Sequence, residues 1–203
     1  YINLERTAKN DWDLIRKYRT TAENPECDQA IEDIINEAIT ADEDDTSVKL
    51  NLDMTDLSGS IQKKVNDEFK EVLRLLDWKH KGNDIFKRWY VDSKIFYHII
   101  IDENSPRKGI TEVRYIDPKF IKKVRVIEKT NDRKTMGPAH NIDLVKKTQE
   151  FFIYNEAGVY PSMGGGGGKD GSGLKISPDS IAYTTSGIYN PTTKQVYGFL
   201  QKA

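Results

Sequence analysis

The stretch PSMGGGGGKDGSG, positions 161–173, is the part of the sequence that comes nearest to a motif with chemistry of its own. A phosphate-binding Walker loop needs G-x-x-x-x-G-K-[ST] between a strand and a helix, so that backbone N–H groups wrap the phosphates. Aligning Gly168 and Lys169 with that motif puts Met163 at the first glycine and Asp170 at the hydroxyl position. An acid there repels phosphate, and the following SGLKISP alternates like a strand. The sequence therefore favours a flexible loop over a nucleotide site.

Carboxylates form a second group that could do chemistry, as ligands for Ca²⁺ or Mg²⁺. Between positions 22 and 45 there is no Lys or Arg and there are ten acids: Glu23, Glu26, Asp28, Glu32, Asp33, Glu37, Asp42, Glu43, Asp44 and Asp45. The alternation and central glycine of a calcium loop are absent, so a solvated helix face and turn is the favoured interpretation.

Cations gather further along the chain, where positions 117–147 hold nine basic residues against four acids, a local net charge of +5. The candidate contact surface consists of Lys122, Lys123, Arg125 and Lys129. In FIKKVRVIEK, strand alternation points Lys123 and Arg125 to one face and Lys122 to the other. Such a basic strand can bind the phosphates of a nucleic acid. It can instead contact an acidic protein surface, such as the acidic segment at positions 22–45, either in the same chain or in a neighbouring subunit. Protein contact is the favoured interpretation, and both stay open.

Nothing in the sequence requires an enzyme. Three widely separated histidines and a single cysteine offer no metal-ligand spacing, and no nucleophile elbow occurs. The net charge of −1 over 203 residues gives no global attraction to nucleic acid or to an anionic membrane. One cysteine excludes an internal disulfide, and the longest apolar run, IFYHIII, is too short to span a bilayer. The sequence predicts a soluble protein without cofactor, metal or small-molecule ligand.

The elements that must position these groups fall into a helical part and a β-rich part. Helices are predicted from an Asn10 cap, from Pro25 after an Asn24 cap, and over residues 58–78, where apolar residues recur every three or four positions. A short strand is predicted over residues 48–52. Further strands are predicted in KIFYHIIID, GITEVRYID, FIKKVRVIEK, QEFFIYN, LKISP and SIAYTTS.

This order predicts an α+β fold, with N-terminal helices followed by a small barrel or sandwich. The expected division is residues 1–83 as a mainly helical segment, 84–190 as a β-rich subdomain with a flexible glycine-rich loop at 161–173, and 191–203 as the start of a further helix. The sequence opens without Met, and the apolar spacing from Val196 stops after barely two turns. A fragment of a longer polypeptide is expected.

The ordered segments NPECDQAIEDIINEAIT, VKLNLD, IQKKVNDEFKEVLRLLDW, RWYVDSKIFYHIIID and GITEVRYIDPKFIKKVR resemble the portal vertex, or head-tail connector, protein of T-even-type tailed bacteriophages. The closing ISPDSIAYTTSGIYN and VYGFLQKA resemble the same family. The resemblance covers nearly the whole chain. The segment PSMGGGGGKDGSG matches no motif of that family and is expected to be a variable loop or an engineered linker.

The resemblance implies a non-enzymatic structural subunit of a ring of twelve at one capsid vertex of the virion, assembled inside the host cell. The ring would form the conduit for genome packaging and ejection. This chain would be the peripheral wing, with helices and a small SH3-like subdomain. Implied partners are further copies of the subunit and the major capsid and scaffolding proteins. The large terminase, the neck and tail proteins and double-stranded DNA would be met by regions outside this chain.

Overall fold

The computed structural model describes residues 5–40, 47–130, 144–156, 173–192 and 195–202. Four helices come first: α1 (Glu5–Ala22), α2 (Pro25–Ala38), α3 (Gly59–Leu75) and α4 (Trp78–Asp92). The strands follow: β1 (Lys94–Ile101), β2 (Ile110–Ile116), β3 (Ile121–Thr130), β4 (Leu144–Tyr154), β5 (Leu174–Ile176), β6 (Ile181–Thr185), β7 (Ile188–Tyr189) and β8 (Val196–Tyr197). Helices followed by antiparallel strands confirm the α+β class.

The helix α2 begins where the sequence predicts. Asn24 has the extended backbone of an N-cap, and Pro25 takes the first helical position, where its missing N–H is not needed. Its inner face buries Ile31 and Ile35 against α1 and α4, in a cluster with Tyr18, Ala22 and Val91. This cluster is the core of the helical layer.

The other two predicted helices have different bounds. The first begins at Glu5, so Asn10 lies within it and is not its cap, because Glu, Arg, Ala and Lys in ERTAKN are good helix formers and extend the helix towards the N-terminus. The helix predicted over residues 58–78 ends at Leu75, and α4 starts at Trp78. Between them Asp77 takes the left-handed conformation with φ 51°, which ends the helix without interrupting the apolar spacing.

The strand predicted over residues 48–52 does not form. The segment is irregular, Leu50 is 37% exposed, and a turn closes with the Thr55 amide donating to the Leu52 carbonyl. Alternating residues make a strand only beside a partner strand, and every described strand lies after Ser93 in the sequence.

The described strands form three antiparallel sheets, in the orders β2-β1-β6, β3-β4-β5 and β7-β8. The first two, here called sheet A and sheet B, pack together through a buried cluster of Phe96, Ile121, Phe152 and Ile181. Among the described residues the sheets do not close into a barrel, so the SH3-like barrel is not confirmed. The arrangement is closer to the predicted sandwich alternative.

Single residues join the helical layer to the sheets. Ser93, left-handed with φ 67°, caps α4 and leads directly into β1. The helix α4 runs through position 84, and its Val91 belongs to the helical core. The division at residues 83 and 84 stays a prediction. The helix expected from Val196 is shorter than predicted, since β8 precedes a single 3-10 turn over Phe199–Lys202.

The glycine-rich stretch 161–173 and the acids Asp42 to Asp45 lie outside the described residues, except Gly173. The described strands on either side of the glycine-rich stretch are β4 and β5, which pair with each other. The strands predicted in QEFFIYN and LKISP, on either side of the stretch, are thereby confirmed.

Candidate interaction surfaces

The basic strand β3 is neutralised in part by its neighbour β4. Lys123 and Arg125 lie on one face and both form ion pairs with Glu150, at 2.9 Å from Lys123 Nζ to Glu150 Oε2 for the first pair. Hydrogen bonds from Lys123 and then Arg125 lower the pKa of Glu150. All three side chains are at least partly exposed. One acid therefore offsets half of the charge that two of the candidate cations bring to this face.

The remaining candidate cations lie elsewhere on the strand. Lys122 lies opposite Ile153, on the other face from Lys123 and Arg125. Lys129 lies opposite Val145, just after a register shift between Glu128 and Lys129. The four sequence-predicted residues share one strand, and Lys122 stands apart from the pair bound by Glu150.

The acidic helix α2 has one cationic partner among the described residues. Lys87 on α4 donates to Asp28 Oδ1 at 2.9 Å and to Glu32 Oε1 at 2.5 Å. These two hydrogen bonds raise the pKa of Lys87, and the bond to Glu32 contributes more than the bond to Asp28. The expected pairing of the acidic helix with the basic strand inside the chain does not occur in the described part, because each uses a nearer partner. The outward acids Glu26, Asp33 and Glu37 are exposed.

Arg19 on α1 joins the helical layer to sheet A. Its Nε and Nη2 donate to the two carboxylate oxygens of Asp92 at 2.8 and 2.7 Å, and its Nη1 donates to Asp117 at 2.9 Å. Asp92 ends α4 and Asp117 follows β2. The side chain of Asp92 is only 3% exposed. The guanidinium of Arg19 thus holds together α1, the end of α4 and the end of β2. Its planar set of N–H donors fits the two oxygens of a carboxylate.

The pKa values in this cluster shift in opposite directions. Burial raises the pKa of Asp92, although the hydrogen bonds and charge of Arg19 offset part of that effect. Burial alone would raise the pKa of Asp117 too, but Arg19 and the Lys119 amide together lower it. The carboxylates raise the pKa of Arg19, Asp92 contributing most. Arg19 therefore opposes the effect of burial on both carboxylates.

The last described segment returns to α1. The Gly198 amide donates to the Tyr18 hydroxyl at 3.1 Å, and that hydroxyl donates to Gln201 Oε1 at 2.5 Å. Nearby, Asp11 accepts from Lys94 Nζ at 2.8 Å and from Gln195 Nε2 at 3.1 Å. Residues 195–202 are therefore held on the N-terminal helix by a partly buried polar network.

A cleft of about 290 Å³ lies between α4 and the edge strand β2. The Arg88 guanidinium lies 4.7 Å from the ring centroid of Tyr115, which meets Tyr97 edge-on. The three cations that line the cleft are already paired: Lys81 with Asp77 at 3.2 Å, Arg88 with Asp84 at 3.0 Å and Arg114 with Glu112 at 3.0 Å. The cleft offers the edge-to-face pair of Tyr97 and Tyr115 beside cations whose charges are already paired, and sequence spacing gave no signal for it.

The described ranges contain no group of three or more His, Cys, Asp and Glu side chains placed to hold a metal ion. Over the same ranges, no helix has both the length and the apolar character that crossing a bilayer requires.

Comparison with known proteins identifies the fold's relatives. Residues 11–203 match the family described as Bacteriophage T4-like portal protein (Gp20). The portal protein of Vibrio phage KVP40 is 34% identical over 194 residues, covering 94% of this chain and 36% of the relative. The portal protein of Salmonella phage ViI is 30% identical over 130 residues, covering 64% of this chain and 23% of that relative.

The match begins within α1, at Asp11, and includes the rest of that helix, the other three helices, the three described sheets and the segment that returns to Tyr18. The chain spans about a third of the length of the Vibrio phage relative and about a quarter of the Salmonella phage relative. The chain belongs to the T4-like portal protein family of tailed bacteriophages.

Proposed function

We propose that this chain is the peripheral wing part of a portal ring subunit at one vertex of a phage capsid. The observation that carries the proposal is the family match over residues 11–203, combined with the small share of the relatives that it covers. The ring would have twelve subunits and would form the conduit for packaging and ejecting the genome. The remaining two thirds of such a subunit would supply the channel.

The geometry supports a mechanical role for the wing as a rigid part of the subunit. Arg19 ties α1 to the end of α4 and the end of β2, and the Tyr18 network ties residues 195–202 to α1. These contacts hold α1, the end of α4, the end of β2 and residues 195–202 against one another. We assign the wing a role as rigid spacer and platform.

The partners of the whole subunit are part of the proposal. Further copies of the subunit and the major capsid and scaffolding proteins would contact the outer surfaces of the wing. The large terminase, the neck and tail proteins and the passing double-stranded DNA would contact regions outside this chain. The function is structural, without catalysis or a small-molecule ligand, in the virion and, during assembly, inside the host cell.

A nucleic-acid-binding module using Lys122, Lys123, Arg125 and Lys129 is the alternative. The ion pairs of Glu150 with Lys123 and Arg125 weigh against it, because phosphate contacts gain affinity from cations whose charge is not already offset. Lys122 is directed to the opposite face, which further reduces the charge on any one surface.

Antibodies raised against this chain test the proposal on intact phage particles. Immunogold electron microscopy of virions whose tails have been removed should place label at one vertex of each capsid. Full-length subunits should form closed rings with a central channel in negative stain. Label spread over the whole capsid, or a full-length protein that stays monomeric at high concentration, would contradict the proposal.

A further inference from the structure

The outer face of sheet B is apolar and cationic. It consists of Lys122, Val124 and Val126 on β3, Phe151 and Ile153 on β4, and Lys175 on β5, which share one face by the strand register. The apolar members belong to neither buried cluster and keep intermediate exposure. Lys175 Nζ lies 4.0 Å from the ring centroid of Phe151. From Lys122 to Val126 on β3 and at the positions opposite them, this face includes two cations, Gln149 and no acid, and the next pair along the register is Glu128 opposite Lys147.

The outer face of α2 has the opposite charge around a similar apolar centre. It consists of Glu26, Ala30, Asp33, Ile34 and Glu37, which share one side of the helix by their spacing of three and four residues. Ile34 is 39% exposed, although α2 buries Ile31 and Ile35 on its other side. The face therefore presents an aliphatic residue bordered by three acids and no cation.

These two faces do not meet within the chain. The main contacts of α2 are with α1 and α4, and sheet B packs on sheet A through the opposite face, which carries Ile121 and Phe152. Within the described residues, Lys87 pairs with Asp28 and Glu32, and those acids lie away from Ile34. A contact between the two outer faces therefore needs two copies of the chain.

The sizes of the two faces agree. A helix of 14 residues is about 21 Å long and about 10 Å wide. Three strands at about 4.8 Å spacing make a face about 10 Å wide, and the five residues from Lys122 to Val126 extend about 13 Å along β3. One helix thus covers the width of sheet B, with Ile34 over the apolar centre and acids near Lys122 and Lys175.

We propose that the outer face of α2 in one subunit docks on the outer face of sheet B in the next subunit of the ring. The two faces lie on different parts of one chain, so the contact is heterologous, the kind that closes into a ring when its rotation closes. Charge complementarity sets the register and the apolar centre supplies the burial. The inference rests on the proposed ring and names the surfaces that hold neighbouring wings together.

Charge exchange in the full-length subunit tests the inference. The α2 variant carries Asp33→Lys and Glu37→Lys, and the sheet variant carries Lys122→Glu and Lys175→Glu. Each variant alone should lower the yield of rings at fixed concentration by about tenfold, because every interface then joins like charges. An equal mixture should restore rings of alternating subunits. The matched control, Glu103→Lys with Arg107→Glu in the turn between β1 and β2, should form rings as the parent does.

Disulfide trapping keeps the test decisive if a charge variant fails to fold. In a Cys27→Ser background, subunits with Ile34→Cys mixed with subunits with Val124→Cys should form a cross-linked dimer on oxidation, and neither should do so alone. Normal rings from both charge variants would overturn the inference and leave the ring proposal standing. Loss of capsid incorporation with rings intact would overturn it too, since that face would then bind capsid protein. A parent subunit that forms no ring would overturn the proposed function itself.

Discussion

Arg19 and Asp92 form a bidentate ion pair between α1 and the last residue of α4, with donor–acceptor distances of 2.8 and 2.7 Å. The Asp92 carboxylate is nearly inaccessible to water and has Arg19 as its described cationic hydrogen-bond partner. Burying an ionised carboxylate without a partner costs free energy, so the stability of the contact between the helices and the sheets depends on the Arg19 guanidinium.

Replacing Arg19 should destabilise the whole domain. Arg19→Ala leaves Asp92 buried without its cation, and we expect the free energy of unfolding to fall by about 3 kcal/mol, the lower end for a broken buried pair since Arg19 itself is 31% exposed. Urea denaturation followed by circular dichroism measures the loss. Lys17→Ala, at an exposed position on the same helix, is the control and should change stability by less than about 0.5 kcal/mol. Equal losses in both variants would contradict this role for Arg19.

The same cluster should make part of the stability depend on pH. Arg19 and the Lys119 amide lower the pKa of Asp117 in the folded state, so its contribution is present above its unfolded pKa of about 3.9 and is lost as pH falls through the folded value. The difference in unfolding free energy between the parent and Asp117→Asn should therefore shrink as pH falls below about 4. Urea melts across an acid pH series measure it. A difference that stays constant down to the lowest pH would show that the carboxylate charge contributes nothing.

Gly198 lies against Tyr18 at a distance that admits no side chain. A Cβ on Gly198 would come within 2.8 Å of Tyr18 Cε2, so Gly198→Ala should displace residues 195–202 from α1 and lower stability by about 1–3 kcal/mol. Hydrogen exchange should show faster exchange of the Gly198 amide, which now donates to the Tyr18 hydroxyl. Gly59→Ala is the matched control, because a Cβ there meets nothing within 4 Å. Unchanged exchange at position 198 would mean that the Tyr18 contact does not hold this segment.

Glu150 should limit the affinity of the basic strand for nucleic acid. With the carboxylate in place, a DNA duplex should bind weakly even at low salt. Glu150→Gln leaves Lys123 and Arg125 without their acid, so we expect tighter binding and a salt slope of log K steeper by about one. Fluorescence anisotropy across a salt series gives the slope. Tight, strongly salt-dependent binding by the parent chain would favour the nucleic-acid alternative.

Patterns of neighbouring residues in the sequence predict those features that depend only on neighbouring residues, such as helix caps and strand alternation. The start of α2 follows from Asn24 and Pro25, and the alternation in FIKKVRVIEK correctly separates Lys122 from Lys123 and Arg125. These features repeat over two to four residues, so they can be derived without knowing what lies across the fold. The sequence did not predict the helix break at Asp77, because a left-handed residue leaves the apolar spacing on both sides intact.

The contacts that join the helices to the sheets and one strand to the next depend on tertiary structure. Arg19 is 73 residues from Asp92 and 98 from Asp117, and no periodicity links such positions. The residues from Val48 to Leu52 alternate as a strand would, yet the fold brings no strand beside them. Glu150, not the acidic helix, partners the basic strand because β4 pairs with β3 in this register. The sequence alone therefore determined the class, the family resemblance and most elements, while the three-dimensional fold decided which charges meet, because ion pairs form between groups that folding brings within a few ångströms.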